Sequence, residues 1–135
     1  MTAVVVDSNV ILDLFTVDSR WYAWSSDAIA VAGDSARLVI NPIVYAEISV
    51  RFTEIERLDA ILERVAIARE PLGYEAAFLA GKAFVAYRRQ GGERRSPLPD
   101  FFIGAHAAVA GYRLLTRDAG RYRHYFPTLT LIAPD

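Results

Sequence analysis

The chain contains no cysteine and a single methionine. Without thiols there is no disulfide scaffold, no thiol nucleophile and no zinc ribbon. Long hydrophobic runs are also missing, and none approaches the ~20 residues of a membrane helix. The opening Met1-Thr2-Ala3-Val4-Val5-Val6 carries no basic leader, and its apolar run stops at Asp7. It is therefore not expected to be a signal peptide, and a cytoplasmic location is the default expectation. Histidine is limited to His106 and His124, and lysine to Lys82. A net charge of −1 argues against bulk electrostatic attraction to nucleic acid.

What is present suits one compact α/β domain. The 135 residues are 53% hydrophobic and 23% charged, enough for a real core and too short for two ordinary domains. A single domain over residues 1–135 is expected, with no repeat, low-complexity tract or interdomain linker. Charge is unevenly distributed. Residues 1–81 hold six basic and twelve acidic residues, whereas residues 82–135 hold nine basic and four acidic ones. The second part can thus present a locally basic surface.

Ala3 to Val6 is a β-branched run of the kind buried on both faces of a parallel sheet. Asp7-Ser8-Asn9 supplies cap residues before a helix carrying Val10, Ile11 and Leu12. Trp21 to Ala32 predicts a helix ended by Gly33, and Arg37 to Ile40 a strand. Asn41-Pro42 opens a helix running to about Phe52, with proline at its first position. Further helices are predicted over 54–65 and 73–90, with a short strand over 66–69 between them. A breaker-rich loop follows over 91–99, then a helix from Asp100 to about Gly111. Arg113 to Thr116 and Thr128 to Ile132 predict the last strands, separated by a turn region over 117–125. This alternation implies right-handed βαβ crossovers. The expected fold class is α/β, a three-layer α/β/α sandwich around a mainly parallel sheet.

Ligands of such sheets bind beyond the carboxyl ends of the strands. Asp7, Asp118 and Asp100 fall at or near such places, and Glu47 lies in the helix that follows the Arg37–Ile40 strand. Each has an ordinary explanation: a helix cap for Asp7, a helix-dipole contact for Asp100, a turn residue in Asp118, an i,i+4 pair with Arg51 for Glu47. Converging at one edge, four carboxylates would repel one another and raise each other's pKa values. A hard divalent cation, Mg²⁺ or Mn²⁺, removes that cost through oxygen ligands. Two such ions form a common device for in-line displacement at phosphorus.

The ordered set Asp7-Ser8-Asn9-Val10, Tyr45-Ala46-Glu47-Ile48, Leu98-Pro99-Asp100-Phe101-Phe102-Ile103-Gly104-Ala105-His106-Ala107 and Leu115-Thr116-Arg117-Asp118, running on to Tyr122 and Tyr125-Phe126-Pro127, resembles the PIN domain family. Within it, the chain looks like the VapC-type toxin ribonucleases of type II toxin–antitoxin pairs, over essentially its whole length. The resemblance implies Mg²⁺- or Mn²⁺-dependent endonucleolytic hydrolysis of RNA, leaving a 5′-phosphate and a 3′-hydroxyl. It implies Asp7 and Asp100 as the most direct metal ligands, completed by Glu47 and Asp118. Thr116 would hydrogen-bond to the ligands, and Asn9 is a polar position beside the first acid. A homodimer and an antitoxin partner, its tail in the active-site groove, are implied as well.

Arg88, Arg89, Arg94 and Arg95 flank the start of the Asp100 helix, and Arg117 adjoins Asp118. These are candidates for the RNA backbone, set against ordinary solvated positions. Arg121, Tyr122, Arg123 and Tyr125 are read as packing residues of a short surface helix. His106 lies about 240° around its helix from Asp100 and is read as structural. Trp21 and Trp24 are read as core or dimer surface.

Two other functions compete. Asp7-Ser8-Asn9-Val10 partly resembles the aspartyl-phosphate motif of haloacid-dehalogenase-type phosphatases. That motif wants a general-acid Asp where Asn9 stands, and a downstream lysine, whereas Lys82 sits mid-helix. A non-catalytic PIN-like binding module is the other, against which the four retained acids argue.

Overall fold

The computed structural model describes residues 3–17, 19–91 and 98–134. Five strands form one sheet: β1 (Ala3–Val6), β2 (Arg37–Ile40), β3 (Ile67–Arg69), β4 (Arg113–Leu115) and β5 (Leu131–Ile132). Their order across the sheet is β3-β2-β1-β4-β5, and every neighbouring pair is parallel. Seven helices connect them among the described residues: α1 (Ser8–Asp13), α2 (Tyr22–Ser35), α3 (Pro42–Ser49), α4 (Ile55–Arg64), α5 (Tyr74–Arg89), α6 (Leu98–Ala110) and α7 (Ala119–Tyr125).

The chain moves outward from β1 to β3 and then jumps back across the sheet to β4. Right-handed crossovers therefore lay α1–α4 over one face and α5–α7 over the other. This is the expected three-layer sandwich. Central β1 pays for two covered faces with a wholly apolar sequence: all four of its residues are buried. Val4 pairs with Leu38 on one side and Arg113 on the other. Because β1 and β4 send their following segments in opposite directions, a crevice opens beyond their carboxyl ends.

Local chemistry sets the helix starts. Asn41 caps α3, its side-chain oxygen accepting from the amides of Ile43 (2.9 Å) and Val44 (3.0 Å), with Pro42 in the first turn. Its amide nitrogen then lies 3.0 Å from His106 Nδ1. With Asn41 Oδ1 already accepting, the amide donates to Nδ1, and Nε2–H donates to Glu70 at 3.2 Å. His106 is thus a buried structural residue that ties α6 to the ends of β2 and β3.

Several boundaries differ from expectation: α3 ends at Ser49 rather than near Phe52, and the last strand spans only Leu131–Ile132. Gly33 does not stop α2, which continues to Ser35. A Cβ there would meet Leu38 at an ordinary 3.5 Å, and Gly33 adopts no left-handed turn, so nothing in its backbone ends the helix. α6 begins at Leu98, which puts Asp100 inside its first turn. The expected turn region after β4 contains a helix, α7, anchored by buried Tyr122 and Phe126.

Gly104 has a sharper role. A Cβ there would lie 2.7 and 2.8 Å from the Phe126 ring and 3.0 Å from Tyr122. Only glycine lets α6, which carries Asp100, approach α7 so closely. Gly104→Ala gains about 0.5–1 kcal/mol of helix propensity but overpacks the contact by about 1–3 kcal/mol. The expected net is a loss, read as a lower denaturant midpoint at constant m-value; a gain in stability would show that the two helices are not in tight contact.

Candidate active site

The site gathers at the β1/β4 crevice. β1 ends at Val6, and the Asp7 amide still bonds to the Leu115 carbonyl at 2.9 Å. This last sheet hydrogen bond fixes the backbone of Asp7, and the side chain is held from several directions. Its Oδ1 accepts from the Ser8 amide (2.7 Å), and its Oδ2 accepts from Thr116 Oγ1 (2.7 Å) and the Tyr122 hydroxyl (3.1 Å). Asn9 Nδ2 stands at 3.5 Å, a long and weak contact, while Asn9 Oδ1 accepts from the Arg117 amide at 3.3 Å. Asn9 thus bridges the first acid and the turn after β4.

Asp7 is only 3% exposed. Burial lifts its pKa from 3.8 to about 6; the bonds from Thr116, Tyr122 and Ser8 pull the other way, and the charge of Asp100 adds to the rise. The other acids are raised too. Glu47 is shifted up by burial, with Asp100 again contributing, and its Oε1 accepts from Ser8 Oγ at 2.8 Å. Asp100 is shifted up by burial and by Asp118, against the opposing pull of Arg121. Tyr122 is pushed upward by burial and by the charges of Asp7, Asp100 and Glu47, so its hydroxyl remains a donor. These mutual effects place Asp7, Glu47, Asp100 and Asp118 in one electrostatic neighbourhood.

Thr116 links two of them. Its hydroxyl donates to Asp7 and accepts from the Asp118 amide at 3.0 Å. Asp118 is the N-cap residue of α7, so the hydroxyl couples the end of β1 to the start of that helix.

Three further residues belong to the site that sequence reasoning did not assign to it. Ser8 connects Asp7 to Glu47. Tyr122, read as surface packing, is buried against Asp7. Arg121, also read as packing, donates to Asp100 Oδ2 at 2.6 Å. The available signal was helical spacing from Asp118, which puts residues 121 and 122 one turn further along.

The candidate RNA-contacting arginines separate. Arg117 Nε and Nη2 grip Asp13 at 2.7 and 3.1 Å, Ser25 Oγ donates to the same carboxylate at 2.6 Å, and the guanidinium lies over Trp21. Arg117 therefore anchors the turn after β4 to α1 and α2, and its guanidinium is engaged internally rather than offered to a phosphate. Arg88 and Arg89 are exposed at the end of α5; nearby Tyr87 packs on Phe101 of α6 and Tyr125 of α7. Arg94 and Arg95 lie outside the described residues, as does most of the 91–99 loop.

The donor chemistry fits a hard divalent cation: four carboxylates, with no sulfur or imidazole among them. Among the described residues, however, no three of these side chains already stand as a metal-holding group. Arg121 is the only cation among them hydrogen-bonded to any of the four acids.

The sequence matches the PIN domain family over residues 4–127. No curated protein matches the chain. Its fold is similar to that of a chain in the structure of VapBC2 from Rickettsia felis bound to a promoter DNA fragment, with TM-score 0.75, 16% identity, and 99% and 100% of the two chains covered. Similar chains occur in VapBC-1 from nontypeable Haemophilus influenzae (TM-score 0.70, 20% identity, 98% of each chain) and in a toxin–antitoxin complex from Klebsiella pneumoniae (TM-score 0.67, 18% identity, 98% of each chain).

Proposed function

The chain belongs to the PIN domain family, and from that premise we propose that it is a metal-dependent endoribonuclease acting as the toxin of a toxin–antitoxin pair. The observation that carries the reading is the acid cluster at the β1/β4 crevice, where Ser8 ties Glu47 to Asp7, Thr116 ties the Asp118 backbone to Asp7, and burial, with a smaller push from neighbouring carboxylates, raises the pKa values of Asp7, Glu47 and Asp100. A scaffold gains nothing from such repulsion, whereas a cation site requires it. Fold likeness to chains of complexes named VapBC and toxin–antitoxin supports the toxin role and a cognate antitoxin. A homodimer, a cytoplasmic setting and RNA as substrate are parts of the same proposal.

Asp7 and Asp100 would hold Mg²⁺ or Mn²⁺, with Glu47 and Asp118 completing the site. The bound ion would supply an activated water and charge stabilisation at phosphorus. The protein's own work is positioning. Thr116 and Tyr122 fix Asp7, Ser8 aligns Glu47 with Asp7, and Thr116 holds the Asp118 backbone. Arg88 and Arg89, exposed at the end of α5, would follow an RNA backbone.

The aspartyl-phosphatase alternative has a poor nucleophile in Asp7, which is buried with both oxygens accepting hydrogen bonds. Lys82 is exposed mid-way along α5, over the Phe78 ring, and not at a strand end. The nuclease and the non-catalytic module are separated by incubating purified protein with RNA and Mg²⁺. Cleavage is expected, and excess EDTA is expected to stop it; cleavage that survives EDTA overturns the metal-dependent reading.

A further inference from the structure

We propose that Arg121 is the site's built-in counter-cation: it neutralises Asp100 in the ion-free protein, competes with the divalent ion for that carboxylate, and leaves when the ion binds. The inference rests on the metal-dependent reading above.

The two arginines near the acids are held in opposite ways. Arg117 is gripped through two nitrogens and stacked on Trp21. Arg121 makes one described hydrogen bond, from Nη1 to Asp100 Oδ2 at 2.6 Å, and its side chain is 37% exposed. A single-point contact on a half-open side chain can be released by rotamer changes, without disturbing α7. Among the described residues the four carboxylates share one monovalent partner, which leaves the cluster undercompensated there.

A divalent ion ligating Asp100 comes closer to the oxygen than the guanidinium nitrogen does, at about 2.0–2.1 Å for Mg²⁺, and carries twice the charge. Arg121 would then face a dication with its acceptor lost, and repulsion drives it outward. Ion binding is therefore weakened by the cost of breaking the pair.

Isothermal titration of Mg²⁺ into the full chain tests this. Arg121→Gln, which keeps a polar side chain through Cδ and removes the competing charge, is expected to bind Mg²⁺ about tenfold more tightly than the wild type. Arg123→Gln removes an exposed charge two residues away that contacts none of the four acids, and is expected to shift affinity less than about twofold. If Arg121→Gln binds no more tightly than Arg123→Gln, Arg121 is not a competitor and the inference fails while the metal reading stands. If neither variant nor the wild type takes up Mg²⁺, the metal reading falls and this one with it. A measurement on the wild type covers the case of a misfolded variant: the ¹⁵N guanidinium resonances of Arg121 should lose their restricted signature on adding Mg²⁺. A resonance left unmoved by Mg²⁺ that titration shows to be bound also overturns the proposal.

Discussion

Asp100→Asn is expected to lower RNA cleavage by about a thousandfold, equivalent to about 4 kcal/mol of transition-state stabilisation, while leaving the domain as stable as before. The two halves have separate causes. Asparagine keeps the shape and one oxygen of the side chain but removes the charge that would grip a divalent ion. Asp100 also influences both Asp7 and Glu47, so its loss disturbs the whole cluster. Stability behaves differently because the folded environment disfavours the ionised form: burial and Asp118 outweigh the Arg121 contact. A neutral isostere loses one partly exposed ion pair, worth little, and gains relief from repulsion and desolvation. Cleavage kinetics and thermal denaturation on one preparation check both halves. A variant that retains more than about a tenth of wild-type activity would remove Asp100 from the chemistry. One that is inactive but unfolded would show only that Asp100 supports the structure.

How far these features could be read in the chain depends on how local they are. The Val4-Val5-Val6 run, the Asn41-Pro42 start of α3 and the placement of acids after strands are written in adjacent residues, and the structure has β1, β2 and the start of α3 where such reading puts them. The contacts that organise the site are long-range. Tyr122 reaches Asp7 across 115 positions and Arg117 reaches Asp13 across 104, and nothing in either local segment announces the pairing. α7 was legible only as a short surface helix within a turn region, and its burial against the site was not, for a related reason. Its seven residues AGRYRHY have no apolar period, and the helix is held by Tyr122 and Phe126 packing against the bare backbone of Gly104. Arg121 looked like surface charge because its one partner lies 21 positions earlier, on α6.

The metal-free protein is expected to lose stability as pH rises from about 5 to about 7.5, and Mg²⁺ to abolish the loss. Asp7 carries most of this. Its folded pKa of about 6 stands above 3.8, so the folded state binds more protons than the unfolded state between those values. Stability therefore falls with rising pH through that window and levels off above it. For Asp7 alone the full loss across both pKa values is about 3 kcal/mol, of which about 1.4 kcal/mol, roughly 5 °C in Tm for a domain of this size, falls between pH 5 and 7.5. Glu47 and Asp100 are raised as well and act in the same direction. Glu70 is lowered, by Arg37, Tyr112 and His106, and opposes them. Its contribution is lost only as pH falls below the ordinary glutamate range, outside this window. Mg²⁺ binds the ionised cluster and not the unfolded chain, so its stabilisation grows as the carboxyls ionise, reaching about 2.7 kcal/mol at a hundred times Kd. Melting curves in EDTA and in saturating Mg²⁺ at both pH values should therefore diverge most at the higher one. Asp7→Asn should flatten the EDTA profile. A wild-type Tm in EDTA that holds level or climbs across this range would mean that the cluster is less buried, or less crowded, than its geometry requires.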